Sequence, residues 1–370
     1  MTAPADTTAP ATSQVYTWEP SDAAIAARYG LRAKDILRFD TNTSPLPPAF
    51  APDVLAGAFD PTLNEYPDSS YADLTDAAAT YVGVATERLI VGAGADEILD
   101  LIGKAYLPEA ATALIPVPTY AMYSVLSSQR AADVVRVLRL GPQDGYAIDL
   151  ESFLPLVADA AVIWLCSPNN PTGAVEPPAT LESILNAAAD RPEPPIVVID
   201  EAYAEFVEWS AIDWLDRFPN LVVVRTVSKA FALAGMRVGY GISSRGVIAR
   251  LQTVRPPGSI STPSATLAAA ALRRPETARE NATGLAIERE WLRDALMAAG
   301  WIVAPSATNF VLLRAGIATD ADALGEQLLR AGIVPRTFPA EHPLAGHLRL
   351  TVRARHENER LLAAIGSPAT

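Results

Sequence analysis

The run "PIVVIDEA", Pro195–Ala202, decides the fold. From Ile196 to Ile199 every residue is aliphatic, with no alternation of apolar and polar positions. A strand with one face in water alternates; an unbroken run belongs to a strand covered on both faces, as in a parallel sheet between helices. Other short β-rich runs surround it: "RLIVGAG" (88–94), "TALIPV" (112–117), "DVVRVL" (133–138), "AVIWLCSP" (161–168), "NLVVVRTVS" (220–228) and "VGYGIS" (238–243). Helical stretches such as "ADEILDLIGKAYL" (95–107) and "TLESILNAAAD" (180–190) lie between them. Strands alternating with helices predict an α/β domain built on a mostly parallel sheet.

Outward from this region the pattern changes. "EPSDAAIAARYG" (19–30) reads as a short helix with Ser21 as its N-cap and Gly30 just past its end. "LRFDTNTSPLPPAF" (37–50) reads as an extended, proline-rich link. After about Thr262 the chain turns helical through "ATLAAAALRR" (265–274) and "ENATGLAIEREWLRDALMAAG" (280–300). It returns to strands at "NFVLLRA" (309–315) and "GHLRLTVRA" (346–354), then closes on the helix "ENERLLAAI" (357–365). The expected organisation is an N-terminal arm and small-domain segment over 1–45, a large domain over 46–265 and a smaller α+β domain over 266–370.

Composition bounds the function. The chain has 370 residues, half of them hydrophobic, enough for a sizeable core. A formal net charge of −13 argues against non-specific binding to nucleic acid or an anionic membrane. An anionic ligand must therefore be held by a few local arginines. No Lys or Arg precedes Arg28 and no apolar core follows the start, so a secretory signal is not expected. The uncharged stretch Ala110–Gln129 contains Pro116 and Pro118, wrong for a spanning helix. A single cysteine, Cys166, suits a reducing compartment, and a cytoplasmic location is expected. Three histidines, all near the C-terminus, make a His-based metal site improbable.

The polar residues of interest fall at strand ends, where open α/β sheets bind ligands. In "VGAGADEILD" (91–100) a strand ends at Gly92 and Gly94 and a helix begins near Ala95. Such a turn is either an ordinary strand-to-helix connection or a cradle whose free N–H groups take a phosphate. Glu97 stands where a dinucleotide fingerprint would carry its third glycine. "LCSPNNPTGAV" (165–175) brings Asn169 and Asn170 to a strand end, within a turn that Pro171 and Gly173 also explain. Asp200 is either a helix cap or the partner of a cationic ligand group, with Tyr203 three positions on. "RTVSKAFALAGMRVGY" (225–240) then sets Lys229 among small and apolar residues, and an ammonium is rarely buried without a use.

Together these pieces match the needs of pyridoxal phosphate (PLP) chemistry. A lysine forms a Schiff base with the cofactor aldehyde, a carboxylate holds the pyridine nitrogen protonated, and N–H groups with a cation hold the phosphate. The motifs "PNNPTG", "DEAYAEF", "SKAFALAGMRVGY" and "LRLTVRARHENERLL" occur in that order. On them the chain resembles the fold-type I PLP aminotransferases and, within these, the histidinol-phosphate aminotransferase family, from about Tyr16 to the C-terminal helix.

The resemblance implies a large domain with a mostly parallel central sheet sandwiched by helices, plus a smaller α+β domain. Lys229 would be the Schiff-base lysine and would shuttle a proton at the substrate α-carbon. Asp200 would pair with the pyridinium nitrogen, and Asn170 and Tyr203 would hydrogen-bond the ring oxygen. Ala93, Gly94, Ala95 and Asp96 would cradle the phosphate, completed by Thr226, Ser228 and Arg237. Tyr120 matches the aromatic stacked on the cofactor ring. Tyr66 matches a tyrosine that reaches the phosphate of the neighbouring subunit, which implies a homodimer with shared sites. Arg349 matches the arginine that binds the substrate's acidic group, with Arg336 as a second cation and Asn309, Tyr16 and Asn42 as further wall residues.

Departures from the family pattern fall on the substrate side and, at one position, in the phosphate turn. "NTSP", Asn42–Pro45, replaces the family's usual Asn-Glu-Asn-Pro, Ala95 stands where a serine is frequent, and "RPPGSISTPS" (255–264) is its own variant. The expected reaction converts histidinol phosphate and 2-oxoglutarate to imidazole-acetol phosphate and glutamate. Alternatives on the same scaffold are an aromatic amino-acid aminotransferase and a decarboxylase like the threonine-phosphate enzyme. A PLP-fold binding module would predict loss of Lys229 or Asp200, and Glu97 disfavours a nicotinamide oxidoreductase.

Overall fold

The computed structural model describes residues 19–58 and 64–368. Its largest sheet has seven strands. Across the sheet they run Leu89–Gly92, Gly239–Ile242, Leu221–Thr226, Ile196–Asp200, Ala160–Cys166, Thr112–Val117 and Asp133–Leu138. Gly239–Ile242 is antiparallel to both its neighbours, and every other pairing from Leu221–Thr226 outward is parallel.

The unbroken aliphatic runs have the expected cause. Val197 and Ile199 pack into a core on one face with Leu165 and Val223, while Ile196 and Val198 join Trp164 and Val222 on the other. Successive side chains point to opposite faces, so a strand covered on both must be apolar throughout. Each buried aliphatic contributes roughly 1.5–3 kcal/mol. The polar residue that ends such a run, Asp200, lies in register opposite Cys166 on one side and Val224 on the other.

Gly239–Ile242 shows why small residues occupy the reversed strand. A Cβ on Gly239 would come within 2.4 Å of the Ala95 backbone nitrogen, and one on Gly241 within 2.8 Å of the Ile98 side chain. The helix Ala95–Tyr106 thus lies directly on this strand, and its N-terminus is brought beside the end of Leu89–Gly92.

A second, antiparallel sheet of four strands runs Arg336–Thr337, His347–Thr351, Phe310–Arg314 and Ile302–Val303. Its own core unites Val311, Leu313, Leu348 and Leu350 with Leu292, Leu324, Leu328 and Leu361 from the covering helices. The N-terminal segment completes this half: Leu37–Arg38 pairs in parallel with Ile333–Val334, and Phe39 is buried in the same core. Before it, the helix Asp22–Tyr29 starts at Ser21, whose hydroxyl accepts from Ala24 N–H, and stops at Gly30 in the left-handed conformation.

The two cores meet along one helix. Pro275–Ala298 gives Ala278 and Ala282 to the large core, and Leu285, Leu292 and Leu296 to the small one. The preceding helix Thr262–Leu272 gives Leu267, Ala268, Ala269, Ala271 and Leu272 to the large core, and Pro275–Ala298 then passes from that core to the small one. An Ala-rich face lets helix Thr262–Leu272 sit closely against its large-domain neighbours.

Candidate active site

The ends of the central strands carry a compact polar group. Asp200 is buried; its Oδ2 accepts from the Tyr123 hydroxyl at 2.7 Å and its Oδ1 from the Ala202 N–H at 3.0 Å. Burial pushes its carboxyl up to about 6, against the pull of those two hydrogen bonds. Tyr123 stacks on Trp164 with ring centroids 5.6 Å apart, so the donor cannot drift.

Lys229 lies just beyond Leu221–Thr226. Burial, with the Arg349 and Arg237 charges adding to it, brings its ammonium down to about 8. The Nζ donates to the Asn42 carbonyl at 3.2 Å and lies 5.8 Å from the centre of the Tyr203 ring. The Tyr203 hydroxyl accepts from Asn42 Nδ2 at 2.9 Å, and burial holds its phenol well above the ordinary value. Asn42 is the hub of this corner. Its carbonyl also accepts from Asn309 Nδ2 at 2.9 Å, and its N–H donates to Thr351 Oγ1 at 2.9 Å. Its φ of 52° lies in the left-handed region, which asparagine tolerates better than most residues. The "NTSP" departure therefore sits in the site, not beside it.

A third group surrounds the turn at Gly94. The Arg237 Nη2 lies 3.2 Å from Asp96 Oδ2, while the Tyr120 hydroxyl donates to the other oxygen, Oδ1, at 3.0 Å. Gly94 has φ 85°, and a Cβ there would be 2.6 Å from Arg237 Nη2. Thr226 Oγ1 donates to the Val238 carbonyl at 3.0 Å and lies 2.8 Å from Ser228 Oγ. The Ala93 N–H is taken by Glu97 Oε2, which also accepts from Ser259 Oγ. The turn's remaining donors are therefore those of the helix start, Ala95 and Asp96.

The small sheet supplies the last group. Arg349 Nη1 donates to Asn170 Oδ1 at 2.7 Å, its Nη2 donates to the Asp40 carbonyl, and its guanidinium lies 5.4 Å from the Phe310 ring centre. Arg336 is its direct cross-strand partner and pairs with Glu19 at 3.3 Å. Asn169, the other asparagine of that turn, works inward: its Nδ2 donates to the Pro118 carbonyl and to Thr172 Oγ1. Tyr66 stands apart, almost fully exposed, and Tyr16 lies outside the described residues.

The family model for aminotransferase class I and II matches residues 35–367. The chain belongs to that aminotransferase family. A histidinol-phosphate aminotransferase of Pectobacterium carotovorum is 38% identical over 312 residues, covering 83% of this chain and 85% of its own. One of Xanthomonas campestris is 36% identical over 314 residues, with 83% and 85% covered. The crystal structure of histidinol-phosphate aminotransferase from Sinorhizobium meliloti, in complex with pyridoxal-5'-phosphate, matches with a TM-score of 0.85 at 26% identity, over 97% of this chain and 96% of its own. An aspartate aminotransferase from Thermus thermophilus with maleate shares the fold, with a TM-score of 0.76 at 22% identity over 94% and 97% of the two chains.

The residues of this aminotransferase fit pyridoxal phosphate. A half-buried lysine depressed to about 8 can act as a neutral amine, and a buried carboxylate on the adjacent strand can face a cationic ring nitrogen. The space before Gly94 is one that a Cβ would fill, with a guanidinium and a helix N-terminus around it.

Several residues escaped sequence reasoning. Tyr123 holds Asp200; its signal was an aromatic three positions after Tyr120, in the first turn of the helix Met122–Gln129. Glu97 braces the cradle from the first turn of its helix, a position from which acidic side chains reach back to backbone N–H groups. The buried pair of Arg139 and Glu176 supports the asparagine turn, where the Glu176 N–H donates to Ser167 Oγ. Glu19 gave no signal at all.

Proposed function

We propose that this aminotransferase is a PLP enzyme that moves the amino group of histidinol phosphate to 2-oxoglutarate. The observation that carries the reading is the pair Arg336 and Arg349. They stand opposite each other on adjacent strands, and Arg349 reaches Asn170 in the turn of the large sheet. Two guanidinia on one face suit a phosphate, and a bidentate fork suits the carboxylate of the second substrate equally. Relatives named histidinol-phosphate aminotransferase, 33–38% identical over most of their length, support the same substrate.

Bound pyridoxal phosphate supplies an electron sink for the charge that develops at the substrate α-carbon. The chain's residues do the rest. Lys229 Nζ, kept close to neutrality by burial, takes and returns the α-proton. Asp200 holds a proton on the ring nitrogen, and Tyr123 keeps its carboxylate aimed there. Asn170 and Tyr203 would orient the ring oxygen, Tyr120 would support the ring, and Gly94, Ala95, Asp96, Thr226, Ser228 and Arg237 would hold the phosphate. Arg349 takes the substrate's acidic group, while Asn42 and Asn309 fix the wall beside Lys229.

A cytoplasmic homodimer is part of this reading. Tyr66, 94% exposed, suits a role across a subunit interface, and the one thiol, Cys166, is buried and free. The large and small domains act as a cofactor half and a substrate half, closed by the N-terminal segment. The deciding experiment compares kcat/KM for histidinol phosphate and phenylalanine in wild type and Arg336→Ala. Loss of about tenfold is expected on the phosphorylated substrate, with little on phenylalanine. Equal losses on both would overturn the substrate assignment.

A further inference from the structure

Arg336 is not waiting open for an anion: a carboxylate of the chain itself is on it. Glu19 Oε1 lies 3.3 Å from Arg336 Nη1, and both side chains remain about one-fifth exposed. A charge-assisted N–H···O contact is usually 2.7–2.9 Å long, so this is a loose, single-point pairing. Glu19 is held there by its neighbour rather than by itself. The Pro20 carbonyl accepts from Arg38 Nη1 at 2.7 Å, and Arg38 is anchored in turn by both oxygens of Asp40. Burial raises the Glu19 carboxyl above its ordinary value, while Arg336 pulls it down.

Resting on the substrate reading above, we propose that Glu19 is a specificity-determining residue that matches the acid-group pocket to substrates of different charge. An aminotransferase passes its two substrates through one site in turn. Here one brings a phosphate dianion and the other a carboxylate, and a fixed pair of arginines cannot be optimal for both. With Glu19 on Arg336, the face shared by Arg336 and Arg349 presents one unit less positive charge, suited to a carboxylate on Arg349. When Glu19 swings off, its charge no longer offsets that of Arg336 and the face suits a dianion. The exposed edge of the pair lets water or phosphate take either partner's place, so the exchange leaves no charge stranded in an apolar site.

The test uses the holoenzyme and inorganic phosphate as the probe, measured by calorimetric titration, beside steady-state kinetics. In Glu19→Gln, phosphate should bind roughly three- to tenfold more tightly, a range set by screening at a partly exposed pair. The ratio of kcat/KM for histidinol phosphate over glutamate should rise by a similar factor. Glu326→Gln, which removes the same charge from a surface pair with Arg28, should change neither. Unchanged or weaker phosphate binding in Glu19→Gln would overturn the proposal, because a carboxylate that merely positions Arg336 must weaken binding when lost. If phosphate tightens but histidinol phosphate is not turned over by wild type, the substrate reading fails and the role of Glu19 as resident anion stands.

Discussion

The two halves of the site treat charge in opposite ways. At the strand ends of the large sheet, Lys229 is half-buried and Asp200 buried, and desolvation pushes both toward their neutral forms. At the small sheet, arginines are met by resident partners: Arg38 by Asp40 and Asp22, Arg336 by Glu19, and Arg349 by the Asn170 and Asp40 oxygens. A group that stays bound can be relied on to complete the charges left to it. A group that leaves at every turnover cannot, and its site carries stand-ins; in the cofactor half the half-exposed Arg237 also has one, Asp96.

The largest expected break in that contrast is Lys229→Ala. Losing the base that moves the α-proton should lower the transamination rate by about 10³-fold or more, and the visible absorbance of the bound cofactor should disappear. A variant that kept its rate would remove Lys229 from the chemistry.

The next effect is on stability without cofactor. Lys229 falls from 10.5 to about 8 in the fold, a burden of roughly 3 kcal/mol at about 1.36 kcal/mol per unit. Below pH 8 both folded and unfolded chains carry the ammonium, and the full penalty applies. Between 8 and 10.5 the folded lysine is neutral while the unfolded one keeps its proton, so stability climbs with pH. Urea denaturation of the cofactor-free protein should find Lys229→Met more stable by roughly 3 kcal/mol at pH 7, and by only about 1.4 kcal/mol at pH 9.5. A pH-independent difference would mean the lysine is not desolvated.

On the substrate side, Arg349→Lys keeps the charge and loses the fork that spans Asn170 and the Asp40 carbonyl. The expected cost is about 10- to 30-fold in kcat/KM, equivalent to one charge-assisted hydrogen bond. The smallest effect is that of Tyr123→Phe. It removes the 2.7 Å hydrogen bond to Asp200 and should raise that carboxyl further. The cofactor should then dissociate roughly tenfold more readily, as read by equilibrium dialysis. Unaltered retention would make Tyr123 a packing residue only.

Legibility in the sequence followed the range of the interaction. The runs Ile196–Asp200 and Leu221–Thr226 declare strands covered on both faces because their burial is written into consecutive residues. Gly94, Asn170, Asp200, Lys229 and Arg237 lie at or near the ends of such runs, so the structure's assembly of them could be anticipated. Glu19 and Asn42 could not be read this way. Asn42 meets Tyr203, Asn309 and Thr351 across 161, 267 and 309 positions, and Glu19 meets Arg336 across 317. Ordinary polar residues in an extended link carry no local mark of such partners. Ala93 shows the converse: its place in a phosphate turn is plain from sequence, yet its N–H is taken by Glu97.

The sequence by itself determined the doubly covered sheet, the order of the strand-end groups and the buried lysine, since each depends on a short contiguous pattern of burial and turn chemistry. Only the tertiary structure decided which charges are already compensated. Ion pairing depends on distances of a few ångströms between segments hundreds of residues apart, and it is there that Arg336 acquires Glu19.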